Sequence, residues 1–170
     1  MGFKTEQDVE KFAEWLKEQI QGMSRHVYAS GLFSVEATGH CVWSVPHLVF
    51  LGQIWPKDDR SSKYWVISGL DLPTDHFEEG LAATPREALR HFSMKWQLQS
   101  SKVAELGEQG GSDGAVSSAT DWQRIADGLQ SNAEALYTLV ERDELWDAEK
   151  GAVDNVLAAV GQQGADEPVQ

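Results

Sequence analysis

The sequence predicts an α+β fold: a three- to four-stranded, mainly antiparallel sheet packed by an N-terminal helix and by two to three C-terminal helices. Three observations support this prediction. The first 30 residues carry apolar side chains at helical spacing, the middle of the chain is rich in β-branched and aromatic residues, and the last third returns to helical spacing. Because the strand segments are separated by short polar turns, neighbouring strands should pair antiparallel.

The N-terminal helix is predicted over residues 5–30. Thr5 is suited to cap its first turn, and Gly31 is suited to end it. One face is apolar and should pack on the sheet; it carries Val9, Phe12, Ala13, Leu16, Ile20, Met23 and Val27. The other faces are charged, with Lys4, Glu6, Asp8, Glu10, Lys11, Glu14, Lys17 and Glu18.

Strands are predicted within residues 32–68, in the segments Leu32–Thr38, His40–Val45, His47–Trp55 and Lys63–Ser68. Gly39 is either a hairpin turn or a bulge in one long strand. Residues 48–51 are apolar on both alternations, so this strand should be central and covered on both faces. Four aromatic residues are expected to form core and cross-strand pairs rather than a ligand cage: Trp43, Trp55, Tyr64 and Trp65.

Helical segments fill the rest of the chain. A helix is predicted over residues 84–105, because Thr84 and Glu87 form a capping box with Pro85 at the first helical position. Residues 106–119, rich in glycine and serine, read as a flexible linker. A second capping box opens a helix over 120–142, a short helix is expected over 146–160, and 161–170 should be a flexible tail. We expect residues 1–160 to form a single domain.

The composition excludes several classes of partner. The 27 acidic residues outnumber the 14 basic ones, giving a net charge of −13, which disfavours nucleic acid and anionic membrane surfaces. No apolar run approaches a membrane span, and the N-terminus lacks a signal-peptide pattern. The single cysteine, Cys41, excludes an internal disulfide and favours a reducing compartment. We therefore expect a cytoplasmic protein that binds neither nucleic acid nor membranes.

The densest group of reactive side chains lies in the segment 69–76, which reads as a turn. It contains Asp71, Thr74, Asp75 and His76. A carboxyl or imidazole group there could act as acid or base. The same residues could equally serve only as turn and capping groups.

The start of the 84–105 helix could complete such a site. Arg86 and Arg90 lie one turn apart and could hold a carboxylate or phosphate, and His91 could face the sheet. The alternative is structural: the arginines pair with acidic groups and His91 lies in the core.

Metal and cofactor sites are not predicted. His40 and Cys41 are adjacent in a strand and should point to opposite faces, so they do not form a ligand pair. Glu87 and His91 are spaced to bridge one metal ion, but such pairs are common by chance. No nucleotide-binding or serine-nucleophile motif occurs.

Negative charge is concentrated towards the C-terminus. Residues 115–170 carry eleven acids and three bases, a net of −8, whereas 1–114 carry sixteen and eleven, a net of −5. Carboxylates that crowd a helix C-terminus interact unfavourably with the helix dipole and so destabilise the helix. Their clustering therefore suggests a functional role, such as steering a basic protein. Solubility alone is the competing explanation. The candidate partner-binding residues are Glu141, Asp143, Glu144, Asp147 and Glu149.

Three segments together resemble a family of small, uncharacterised bacterial proteins. These are residues 64–69 (YWVISG), 71–76 (DLPTDH) and 86–98 (REALRHFSMKWQL), and the similarity is dense over residues 63–103. Residues 135–137 and 145–146 are similar to the last helix of that family. The resemblance implies a bacterial cytosolic protein and brings no activity with it.

The leading hypothesis is a non-enzymatic, acidic binding module of the immunity or adaptor type that docks a basic protein. The first alternative is an enzyme or small-anion-binding protein, with its site at the 69–76 turn and the start of the 84–105 helix. The second is a homo-oligomer assembled through exposed tryptophans.

Overall fold

The computed structural model describes residues 4–108 and 119–146, within a chain that divides into two compact units. Of the described residues, 4–85 and 144–146 belong to the first unit, and 86–108 and 119–143 belong to the second. The short helix predicted over 146–160 and the tail over 161–170 lie outside the described residues, apart from Trp146. The prediction of a single domain over residues 1–160 stays a prediction.

The first helix, α1, spans Glu6–Ala29, as the apolar stripe predicts. The backbone N–H of Asp8 donates to the hydroxyl of Thr5 at 3.1 Å, which caps the first turn. At the other end Gly31 adopts a φ of 73°, a conformation that glycine takes without steric cost. Its N–H donates to the carbonyl of Tyr28, and the N–H of Leu32 donates to that of Val27, so the last carbonyls are satisfied.

A four-stranded antiparallel sheet follows, with the strands in chain order across it. The predicted α+β class is therefore confirmed. Two strands, β2 and β3, are central, and nearly every residue of β2 is buried, as its apolar pattern on both alternations predicts. The strands are β1 (Ala37–Val45), β2 (Val49–Pro56), β3 (Tyr64–Gly69) and β4 (Asp75–Glu78).

Two details of the strand prediction are wrong. Residues 32–36 are not part of a strand, and Gly39 lies inside β1, where it is neither a turn nor the bulge. The irregularity falls between Cys41 and Trp43. Gly39 is instead a point of close packing, because a Cβ there would lie 2.5 Å from the side chain of Met23 and 2.9 Å from the carbonyl of Gln53.

The two faces of the sheet carry different groups. One face packs against α1, where Phe12 and Met23 form a core with Phe50, Ile54 and Val66. The strand register places three of the four aromatic residues on the opposite face and Tyr64 on the α1 side. Those three are Trp43, Trp55 and Trp65.

The second unit contains an antiparallel pair of helices, α2 (Pro85–Glu108) and α3 (Ala119–Glu141). The hydroxyl of Ser93 donates to the carbonyl of Ala133 at 2.7 Å, and that of Ser100 to the carbonyl of Ala126 at 2.6 Å. These contacts advance by seven residues along each helix, so small side chains face each other along one seam.

The predicted linker over 106–119 is too long at both ends. Helix α2 continues to Glu108 and α3 begins at Ala119, so only residues 109–118 separate the two helices, and these lie outside the described residues. Gly107 lies against Trp122, where a Cβ would come within 2.7 Å of the tryptophan Cβ. Helix α2 therefore extends through Leu106 and Gly107, although the composition of this segment favours a loop.

Candidate functional site

The segment 69–76 is not a single turn in the structure. Asp71 and Thr74 lie in an exposed loop, but Asp75 and His76 are the first two residues of β4. As neighbours in a strand they occupy opposite faces, with His76 paired to Val66 on the α1 side and Asp75 paired to Ile67. The turn prediction is wrong at its C-terminal end, because residues 75–78 extend the sheet by one more strand.

The start of this loop has a local conformation that the sequence explains. The N–H of Leu72 lies 3.4 Å from the carbonyl of Gly69, and Asp71 has a φ of 57°, which aspartate tolerates better than most residues. The N–H of Leu70 donates to the carbonyl of Leu48 at 2.9 Å, so this loop is tied to the turn between β1 and β2. Asp71 therefore has a backbone role, and a role in binding stays a prediction.

His76 meets a partner that sequence reasoning missed. Its Nδ1 lies 2.8 Å from Nε2 of His26, in the last turn of α1. The ring centres are 5.0 Å apart, nearly the largest separation that this nitrogen distance permits, so the two nitrogens point at each other. That arrangement suits an N–H···N hydrogen bond in which one ring donates and the other accepts.

The surroundings of the histidine pair are partly aromatic. The ring of Tyr64 stands edge-on to the ring of His76 at 5.9 Å, and the backbone N–H of His76 donates to the carboxylate of its neighbour Asp75 at 2.8 Å. The two histidines are 50 residues apart in the chain, and only the packing of α1 on the sheet joins them. The available signal was the position of His26, directly before the buried Val27 on the edge of the apolar stripe.

Residues 4–108 and 119–146 contain no cluster of side chains suited to bind a metal ion. No group of three or more histidine, cysteine, aspartate or glutamate side chains is placed there to hold an ion. The register confirms that His40 and Cys41 face opposite sides of the sheet, since His40 pairs with Gln53 and Cys41 with Gly52. Burial raises the pKa of the Cys41 thiol to about 12, which makes it a poor nucleophile.

The predicted anion-binding residues belong to the second unit. The Nε of Arg86 donates to the carbonyl of Val140 at 2.9 Å, and its guanidinium forms an ion pair with Asp143 at 2.6 Å. Arg86 thus joins the start of α2 to the end of α3, and Asp143 balances its charge. Arg90 is exposed and His91 is half-buried.

The predicted partner-binding cluster is only partly described. Glu141 and Glu144 are exposed, whereas Asp143 is the residue that pairs with Arg86. Asp147 and Glu149 lie outside the described residues. The Arg86 ion pair thus neutralises Asp143 within the protein.

A second acidic feature lies on α1. Four glutamates recur at intervals of four residues and all are exposed; we call Glu6, Glu10, Glu14 and Glu18 the glutamate ladder. Side chains four residues apart are neighbours on a helix surface, so each adjacent pair repels. None of the four forms an ion pair within the described part of the chain.

The architecture and these groups define an α+β protein whose first helix carries an exposed row of glutamates. The chain belongs to the family described as "Domain of unknown function (DUF4826)", which matches residues 9–146. The resemblance to an uncharacterised family is thereby confirmed. No curated protein and no solved structure matched the chain. No helix in the described residues combines the length with the apolar character that crossing a bilayer demands.

Proposed function

We propose that this protein is a non-enzymatic binding module that docks a basic protein partner through the glutamate ladder of α1. The carrying observation is the ladder itself: four exposed carboxylates along one helix, without a basic partner in the described residues. A partner with lysines or arginines along a complementary surface would be steered towards it.

The energetics support this use of the ladder. Three successive like-charged pairs at four-residue spacing destabilise the helix by about 1 kcal/mol in total at low salt. No ion pair in the described residues offsets this repulsion between the glutamates. A basic partner would replace the repulsion with attraction. The net charge of −13 extends the attraction beyond the helix itself.

The alternative of an enzyme or a small-anion site at the 69–76 segment and the start of α2 has less support. Asp75 and His76 occupy opposite faces of the sheet, and Arg86 is bonded to Val140 and Asp143. An assembly through exposed tryptophans is also disfavoured, because all seven tryptophans are buried or half-buried. We further propose that the protein is bacterial and cytoplasmic, and that it acts as an immunity-type or adaptor-type module.

The proposal is tested by removing the charge of the ladder while keeping its shape. The variant E10Q/E14Q/E18Q replaces three exposed carboxylates by amides of the same size. The wild-type chain and the variant are immobilised and exposed to a native bacterial lysate at about 0.05 and 0.5 M salt, and retained proteins are quantified by mass spectrometry. We expect a basic protein that the wild type retains at low salt and the variant retains at least about tenfold less.

A matched control separates the ladder from net charge. E105Q/D127N/E134Q removes three exposed carboxylates from α2 and α3 and changes the net charge equally. This control should retain the partner at nearly the wild-type level. Equal retention by the ladder variant and the wild type, with both folded by circular dichroism, would contradict the proposal.

A further inference from the structure

An unusual group of positive charges lies at the end of β2, in a protein that is otherwise acidic. Trp55 is the last aromatic residue of that strand, Arg60 lies in the following loop, and Lys63 directly precedes β3. His40 of β1 is their neighbour on the same face of the sheet. We call these four residues the basic cluster.

The indole of Trp55 holds the cluster together. The ammonium of Lys63 lies 5.1 Å from the centre of the ring, and the guanidinium carbon of Arg60 lies 5.6 Å from it. Both distances are within the range of cation–π attraction. The His40 ring stands edge-on to the same indole at 5.3 Å. Trp55 is 7% exposed, so these side chains cover it.

The two cations are not neutralised by the acids nearest to them in sequence. Neither Arg60 nor Lys63 forms an ion pair with a described residue. The Asp59 carboxylate accepts hydrogen bonds from Ser61 and Ser62 instead, and these bonds lower its pKa. Glu36, which is distant from both cations in the sequence, pairs with Lys57 at 3.5 Å.

The two cations also act on the imidazole of His40. Burial lowers its pKa below the usual 6.5, and the positive charges of Lys63 and Arg60 lower it further. Both Lys63 and Arg60 thus disfavour a positive charge on the His40 ring. A bound anion would oppose that effect and could accept a hydrogen bond from the ring.

We propose that the basic cluster is a binding site for a small oxyanion of the phosphate class, held by Arg60 and Lys63 with His40 as a hydrogen-bond donor. Two fixed positive charges match the charge of a phosphate monoester near neutral pH. Trp55 positions the cations and does not itself offer a stacking face, because they already lie over its ring. This site is separate from the glutamate ladder, and either proposal can fail without the other.

The test is a titration with inorganic phosphate followed by NMR of the His40 imidazole, at constant ionic strength maintained with chloride. We expect a saturable shift with a dissociation constant of about 1 mM or tighter, and a rise in the His40 pKa on binding. R60Q/K63Q should weaken binding at least about tenfold. The control R25Q/K102Q removes one arginine and one lysine from exposed positions elsewhere and should bind like the wild type.

Further arms identify the ligand and set the conditions of failure. Phosphoserine tests a phosphate carried on an organic group, and acetate tests a simple carboxylate. Phosphate and phosphoserine should compete for one site, and acetate should bind more weakly because it carries a single charge. A shift that does not saturate, or that chloride reproduces, would mean an adventitious ion only and would overturn the proposal. Equal binding by R60Q/K63Q and R25Q/K102Q would overturn it as well.

Discussion

Gly69, at the end of β3, occupies a position that leaves no room for a side chain. Its φ is 155°, and a Cβ built there would collide with the carbonyl oxygen of Leu48, which already accepts from the N–H of Leu70. We expect G69A to lower the free energy of unfolding by at least about 2 kcal/mol, measured by urea denaturation.

A second glycine provides the control for this substitution. Gly80 has open space around its Cβ position and an ordinary φ, so G80A should change the free energy of unfolding by less than about 0.5 kcal/mol. Similar losses in the two variants would show that the close approach to Leu48 is not what makes Gly69 necessary.

Cys41 tests the burial of β1 against α1. Burial raises the pKa of its thiol to about 12, above the ordinary value of 9.0, so at pH 8 the folded chain holds far less thiolate than the unfolded chain. The folded chain holds the thiol proton more tightly than the unfolded chain does. The contribution of Cys41 to stability is therefore fully present below its unfolded pKa of about 9 and is lost as the pH rises towards 12.

The measurement is the rate of modification of Cys41 by a thiol reagent at pH 8, with and without urea. We expect modification of the native chain to be at least about tenfold slower, because a buried thiol with a raised pKa presents little thiolate to the reagent. Native chain that reacted as fast as unfolded chain would contradict the buried position of the thiol.

Side-chain orientations within one strand could be predicted from the sequence, whereas contacts between distant elements could not. The opposite orientations of His40 and Cys41 follow from the twofold alternation of a strand, and the register confirms them. The contact between His26 and His76 could not be predicted, because it depends on how α1 lies across the sheet. The same holds for the ion pair between Arg86 and Asp143, which are 57 residues apart.

At the scale of elements, α2 and α3 are held by a seam of small side chains. Ala133 is fully buried, and its carbonyl accepts the hydroxyl of Ser93. A larger side chain there would separate the helices, so A133L should lower the free energy of unfolding by about 2 kcal/mol in urea denaturation.

The matched control lies two residues further along the same helix. Ala135 is exposed, so A135L should leave the free energy of unfolding within about 0.5 kcal/mol of the wild type. If A133L were as stable as A135L, the seam would not be closely packed.

Long periodic elements could be predicted and short ones could not. The apolar stripe and capping group of α1 mark a 24-residue helix at both ends. Strand β4 has only four residues, and the turn-forming residues Pro73 and Thr74 that precede it predict a loop. It is a strand because β3 offers it an edge, which is a tertiary effect that local propensity does not contain.

At the scale of the whole molecule, the excess of 27 acids over 14 bases makes self-repulsion a term in stability. Salt screens that repulsion, so the melting temperature should rise by a few degrees, about 2–4 °C per kcal/mol, between about 0.02 and 0.2 M sodium chloride. A melting temperature that fell with salt would show that favourable ion pairs dominate the surface instead.

The same measurement locates the repulsion on α1. In E10Q/E14Q/E18Q the like-charged pairs of the glutamate ladder are gone, so this variant should melt about 2–4 °C above the wild type at low salt. The difference should shrink as salt is added, because screening removes the same repulsion. The control E105Q/D127N/E134Q should gain less, since its three carboxylates are not spaced as one ladder. A ladder variant that melted below the wild type would mean that these glutamates stabilise the fold. Repulsion between them would then give no reason to expect a basic partner.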